Sequence, residues 1–127
     1  MTKPRCRHFD PDALLHDMFE HREAVRGVLQ TYLAWQQDLL AQLHAAAQVN
    51  DLPRLAHIAH TARGSLSQFR AHASVARARA LEAGCRALDT PEATAPTRSI
   101  AELVERLSTE LEALGAEIAA YLEADEG

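Results

Sequence analysis

The apolar residues of this chain recur every three or four positions, which is the period of an α-helix. The pattern is most regular near the C-terminus, where one stripe consists of Ile100, Val104, Leu107, Leu111, Leu114, Ile118 and Tyr121. A second stripe, within residues 20–48, consists of Val25, Val28, Leu29, Tyr32, Leu39, Leu40 and Leu43. Both segments predict long helices with one apolar face. Such a stripe serves dimerisation in some proteins, but packing within one chain is its commoner use, and we favour that interpretation and a monomer.

Two shorter helices are predicted between these long ones. Asn50 and Asp51, with Pro53 close behind, supply a break and an N-cap for a third helix that runs to about residue 70. The apolar stripe of this helix is Leu55, Ala59, Ala62, Leu66 and Phe69, and that of a fourth helix over about 73–88 is Ser74, Ala78, Leu81, Cys85 and Leu88. Residues 89–97 contain two prolines and predict the one substantial loop.

The order of these elements predicts the fold. Asp10 followed by Pro11 is typical of a helix start, here of a short N-terminal helix. Four long amphipathic helices with mostly short connections, and no alternation typical of strands, indicate an all-α fold, an antiparallel four-helix bundle with a short additional N-terminal helix. The length of 127 residues suits one domain. We assign residues 1–9 to a flexible tail, 10–124 to the bundle and 125–127 to a C-terminal tail.

Composition narrows the class of protein. A net charge of −5 and a pI near 5.8 argue against a nucleic-acid-binding protein, which normally carries a basic excess. Twelve of the 13 basic residues are nevertheless arginines, whose forked guanidinium suits a phosphate or a protein surface. The chain has only two cysteines and no apolar run near the roughly 18 residues of a membrane span. We therefore expect a soluble cytoplasmic protein.

The third helix carries the candidate chemistry. On a helical wheel His60 lies about 150° from the centre of the apolar stripe, so its side chain is predicted to point outward. The same exposed side holds His57, Gly64 and Ser67, and Arg63 lies one turn from His60. A glycine inside a helix costs about 1 kcal/mol relative to alanine. Close approach of another backbone to His60 would explain why Gly64 is present.

Residues 59–71, AHTARGSLSQFRA, resemble the signature of histidine-containing phosphotransfer (HPt) domains, written loosely as A-H-x-L-K-G-[SA]-x-x-x-[LF]-G-A. The positions in register include His60, Gly64, Ser65 and Ala71. The likeness extends to the turn at residues 50–51 and to the fourth-helix pattern at residues 80–82, so it covers most of the chain.

Three positions depart from the family pattern. Arg63 stands where the family usually has lysine, which keeps the positive charge in a longer, forked donor. Ala62 replaces a usual leucine, which would thin the core beneath the site. Arg70 replaces a usual glycine, which leaves open whether the third helix ends in a left-handed turn.

The resemblance implies a phosphocarrier in two-component signal transduction. In such a phosphorelay His60 is the phosphoacceptor: its imidazole attacks an aspartyl phosphate on a receiver domain and later passes the phosphoryl group to another receiver, with Arg63 as electrostatic support. The expected partners are receiver domains of response regulators or hybrid histidine kinases. These partners hold the Mg²⁺ and the acidic pocket, so the chain is expected to need no cofactor or metal of its own. No nucleotide-binding motif occurs, so we expect no kinase activity.

A tight hairpin centred near Ala71 would place Glu82 opposite His60 and Arg79 opposite Arg63. Glu82 is therefore a second candidate, since a carboxylate can accept the Nδ1–H of the imidazole and orient the ring. It would also repel an incoming phosphoryl group, and Arg79 would offset that repulsion. The candidate partner-binding residues are His57, Gly64, Ser67, Gln68 and Arg79.

Two other classes of function stay open on the sequence alone. One is a helical adaptor that binds receiver or kinase domains without phosphotransfer. The other is a metal-binding bundle, because the i, i+3 spacing of His57 and His60 permits a shared metal, with further ligands from His16, His21 or His44. We rank the phosphocarrier first because of the motif around His60, and the metal-binding bundle last because an exposed helix face with small residues lacks the carboxylate support that metal sites use.

Overall fold

The computed structural model describes residues 6–88 and 98–126, and the part described consists of helices and their connections without a strand. The helices are α1 (Pro11–Asp17), α2 (Arg22–Gln48), α3 (Leu52–Gln68), α4 (His72–Leu88) and α5 (Arg98–Glu126). This confirms the predicted all-α class and the helix order. The predicted loop at 89–97 lies outside the described residues. None of the described helices combines the length and the apolar stretch that crossing a membrane requires.

Side-chain caps begin α1 and α3. The carboxylate of Asp10 accepts a hydrogen bond from the backbone N–H of Ala13, and that of Asp51 accepts one from the N–H of Arg54. Each cap satisfies a backbone donor that has no partner inside the helix, and proline follows within the first two helical positions. The start of α3, which carries His60, is therefore determined locally.

The predicted apolar stripes form the core. All seven stripe residues of α5 and all five of α3 are buried, whereas Val28 on α2 and Leu88 on α4 are only partly buried. Helix α3 packs on α2 and α4, and α5 packs on α4 and α2, so the four long helices close into a bundle. The apolar stripe of α5 is consequently buried within one molecule, as predicted.

The turn between α3 and α4 resolves the question raised by Arg70. Arg70 has φ 59°, the left-handed conformation that glycine usually supplies. The N–H of Ala71 donates to the Leu66 carbonyl and that of Arg70 to the Ser67 carbonyl, which is the Schellman pattern. The guanidinium of Arg70 also binds both carboxylate oxygens of Asp17 at 2.8 Å, which helps to hold a backbone conformation that costs an L-residue about 1–2 kcal/mol.

Residues 6–9, which the sequence assigned to a flexible tail, pack on the bundle. Residues 1–5 lie outside the described part, but residues 6–9 pack on α5: the N–H groups of Arg7, His8 and Phe9 all donate to the Glu117 carboxylate. Phe9 is buried and meets the Tyr121 ring edge-on at 5.8 Å.

The bundle also extends into the predicted C-terminal tail, because α5 continues to Glu126. Asp125 pairs with Arg22 and Arg26 on α2, and its side chain is only 6% exposed. Phe9 and the ion pairs of Asp125 both lie near the C-terminal end of α5, so residues 6–9 and residue 125 belong to the bundle.

Candidate functional site

His60 lies near the middle of α3 with its side chain 54% exposed. The residues on either side of it in the core stripe, Ala59 and Ala62, are buried. Their burial fixes the rotation of the helix, and that rotation turns His60 to the surface. The predicted partner-binding residues His57, Gly64, Ser67, Gln68 and Arg79 are exposed as well.

Gly64 leaves open space one turn from His60. A Cβ atom built on Gly64 would meet no atom within 4 Å, and its φ is not positive. Neither internal packing nor backbone conformation therefore requires a glycine here. The surface beside the imidazole is therefore low and open at this position.

Glu82 on α4 reaches the imidazole from the neighbouring helix. Its Oε2 lies 2.9 Å from Nδ1 of His60, and its side chain is only 11% exposed. A carboxylate accepts and cannot donate, so this contact favours the tautomer with hydrogen on Nδ1. Within the described residues no hydrogen bond reaches Nε2, which leaves the Nε2 lone pair directed away from Glu82.

Two arginines balance the charge of Glu82. Arg86 places Nε 3.1 Å and Nη2 3.0 Å from Oε2, and Arg63 places Nη1 3.5 Å from Oε1. Burial raises the pKa of Glu82, but the hydrogen bonds from Arg86 and His60 and the charge of Arg63 outweigh it, so the pKa lies below its usual value. Glu82 is therefore an ionised group with compensated charge, although its Oε1 makes no hydrogen bond.

Arg63 contacts the imidazole as well as the carboxylate. Its Nη2 lies 3.3 Å from Nδ1 of His60. A guanidinium only donates, so it competes with Glu82 for the same ring nitrogen. The carboxylate is the nearer group and Arg63 is attracted to it, so we assign the ring hydrogen to the bond with Glu82.

The arginines that pair with Glu82 are Arg63 and Arg86, and not the predicted Arg79. Arg79 is exposed and makes no contact with Glu82 in the described structure; it lines a groove of about 490 Å³ with Ser67 and His72. Arg86 has the i, i+4 spacing that lets helical side chains of opposite charge meet. That spacing was the signal in the sequence that would have identified Arg86.

The other predicted residues stand around this cluster. The Ser67 hydroxyl donates to the Arg63 carbonyl at 3.0 Å, so it is a partner of the α3 backbone. Gln68 lines a separate groove of about 290 Å³ with Tyr32 and Trp35 from α2. His57 lies beside Arg86 at the edge of a smaller groove of about 170 Å³. His57 and Ser67 thus lie along the boundary between α3 and α4, whereas Gln68 lies on the side of α3 that faces α2.

The histidines of the metal hypothesis are spread over the fold, with His57 and His60 on α3, His16 on α1 and His44 on α2. Across residues 6–88 and 98–126, no three side chains of His, Cys, Asp or Glu come together as a metal site requires. His44 instead contacts the Ser108 hydroxyl at 3.3 Å, and His16 lies 3.8 Å from Glu20.

Comparisons with known proteins identify the family of the chain. The family model described as "Hpt domain" matches residues 27–124, so the chain belongs to the HPt domain family. HPt domains are phosphocarriers rather than kinases, and they interact with receiver domains in phosphorelays.

Among solved structures, the chain resembles the crystal structure of histidine-containing phosphotransfer protein B (HptB) from Pseudomonas aeruginosa PAO1. The TM-score is 0.76 at 24% identity, and the match covers 94% of this chain and 98% of the other. This likeness shows a common fold. No curated protein matches the sequence.

Proposed function

We propose that His60 is the phosphoacceptor of this HPt domain, taking a phosphoryl group from the aspartate of one receiver domain and passing it to another. The proposal is supported by the contact that holds one nitrogen of the imidazole and by the exposure of the ring. Its Nδ1 is held by Glu82 at 2.9 Å, while the side chain is 54% exposed beside the open surface at Gly64. A nucleophile that is oriented on one side and open on the other suits attack on a group carried by a second protein.

The transfer step needs no proton movement. The Nε2 lone pair attacks phosphorus, the N–P bond forms as the P–O bond to the aspartate breaks, and the electron pair leaves on the aspartate carboxylate. Nδ1 keeps its hydrogen throughout, so the ring becomes a phosphoimidazolium. Glu82 stabilises this positive charge across the 2.9 Å contact. The return to another receiver reverses the same step.

Arg63 and Arg86 serve different parts of this step. Arg63 contacts both the ring and the carboxylate, and we assign to it the electrostatic support of the phosphoryl group. Arg86 contacts Glu82 alone and reduces the repulsion between that carboxylate and an anionic phosphoryl group. In this account Mg²⁺ belongs to the receiver, and the chain uses no cofactor of its own.

The partners in this proposal are receivers of response regulators or hybrid histidine kinases, met by a monomer in the cytoplasm. The adaptor hypothesis predicts the same partners without chemistry. The two differ only in whether label reaches His60.

Incubation with receivers that carry a radiolabelled aspartyl phosphate tests the proposal. We expect wild-type protein to acquire label in an acid-labile, alkali-stable linkage, and His60→Gln to acquire none. His16→Gln is the matched control, because it removes an exposed imidazole on a different helix, α1. Absence of label from wild type, with receiver binding unchanged in His60→Gln, would contradict the proposal and favour the adaptor.

A further inference from the structure

Charge is divided unevenly among the helices of this acidic protein. Helices α3 and α4 together contain five arginines and a single carboxylate, Glu82. Helix α5 contains eight carboxylates and only two arginines. The pair of helices that displays His60 is therefore cationic, although the chain as a whole carries −5.

The boundary between α3 and α4 concentrates this charge around the imidazole. We define the α3–α4 seam as His57, His60, Arg63, Ser67, Arg79 and Arg86. A groove lined by His57 and Arg86 lies toward one end, and the larger groove lined by Ser67, His72 and Arg79 lies toward the other. The carboxylate of Glu82 beneath the seam pairs with Arg63 and Arg86 and offsets one positive charge, while Arg79 makes no contact with it.

We propose that the α3–α4 seam is an electrostatic docking surface for an acidic face of a receiver domain, and that Arg79 steers and orients this partner while taking no part in the transfer step. This inference rests on the proposed function. Charge complementarity identifies the occupant, because a cationic strip on an acidic protein attracts a partner surface rich in carboxylates. Opposite charges at such rims mainly raise the association rate.

Arg79 and Arg77 form a natural matched pair for testing this idea. Both are exposed arginines on α4, but two residues apart on a helix places them on nearly opposite sides. Arg79 lines the groove with Ser67, whereas Arg77 lines a small cavity with Glu105 and Glu110 of α5. Reversing either charge changes the net charge of the protein equally.

The experiment compares wild type, Arg79→Glu and Arg77→Glu against a panel of purified receiver domains from the source organism. Association rates are measured by biolayer interferometry at 50 and 300 mM NaCl. Label transfer is measured over a range of receiver concentrations. For the receivers that bind wild type, we expect Arg79→Glu to associate at least about tenfold more slowly at low salt, and much less so at high salt. The transfer rate at saturating receiver should be unchanged. Arg77→Glu should resemble wild type.

Each other outcome overturns the inference in a distinguishable way. Equal association of the two variants removes the seam as a steering surface, yet labelling that His60→Gln abolishes would still uphold the proposed function. Binding of wild type to no receiver contradicts both proposals. A wild-type dimer in sedimentation that Arg79→Glu dissociates would show that α5 of a second copy covers the seam instead. Thermal unfolding of both variants excludes misfolding as the cause of lost binding.

Discussion

Helices α3 and α5 both bury their apolar faces in the core, but their polar faces differ. The polar face of α5 is rich in carboxylates, and several of these hold the structure together: Glu117 binds three N–H groups of residues 7–9, and Asp125 pairs with two arginines of α2. The polar face of α3 presents His60, the small residue Gly64 and the exposed Ser67. A polar face that binds its own chain is structural. One that is left open beside a reactive side chain is available to a partner.

The largest effect on stability should come from the buried stripe of α5. Leu114 is fully buried, so Leu114→Ala should lower the free energy of unfolding by about 2–5 kcal/mol through lost transfer energy and a residual cavity. Urea denaturation measures this loss. Leu103→Ala, at a partly buried position of the same helix, should cost clearly less. Equal losses at the two positions would contradict the assigned core.

At Gly64, on the open surface of α3, we expect a substitution to impair phosphotransfer without lowering stability. Gly64→Gln should slow transfer at least tenfold by blocking the approach to His60, while raising the free energy of unfolding by up to about 1 kcal/mol because glutamine is the better helix former. Gly27 on α2 is the matched control, since it is also helical and exposed, with no atom within 4 Å of a Cβ. Gly27→Gln should gain stability without slowing transfer. Transfer unaffected in Gly64→Gln would remove this surface from docking.

A smaller effect is expected from the charge balance around Glu82. Arg86→Gln should slow transfer several-fold, because the uncompensated carboxylate repels the phosphoryl group, and it should change little in a Glu82→Gln background. Single-turnover rates for the four proteins of this cycle give the coupling. Additive effects would mean that Arg86 acts independently of Glu82.

The same group predicts a pH dependence. The pKa of Glu82 is lowered in the folded state from an ordinary value of 4.5. Its contribution to stability is therefore present above pH 4.5 and is lost as the pH falls through the folded-state pKa. Glu82→Gln should flatten this part of the acid-unfolding curve. A curve of wild-type shape in Glu82→Gln would show that other carboxylates account for the acid dependence.

The parts of the fold that could be predicted from sequence depend on local rules. Helical periodicity identified the buried stripes, and the caps Asp10 and Asp51 followed from residue preference at helix starts. The contact between His60 and Glu82 also followed, because a tight hairpin fixes the register between its two helices.

The features that could not be predicted depend on distant contacts or on competing effects. The burial of Phe9 requires Glu117, more than 100 positions away, and no local pattern links the two. The left-handed Arg70 opposes residue preference and is accompanied by an ion pair with Asp17 on another helix. The contact of Arg86 with Glu82 was not predicted because hairpin symmetry pairs Arg79 with Arg63 and says nothing about neighbours within α4. Arg86 reaches Glu82 through their i, i+4 spacing.

The most direct test of the account is to identify the phosphorylated atom. Protein with ¹⁵N-labelled histidine, phosphorylated by a receiver, can be examined by NMR for the two ring nitrogens of each imidazole. The account predicts a single modified residue, His60, with phosphorus on Nε2 and hydrogen retained on Nδ1. Phosphorus on Nδ1, or on another histidine, would contradict the role assigned here to the contact between His60 and Glu82.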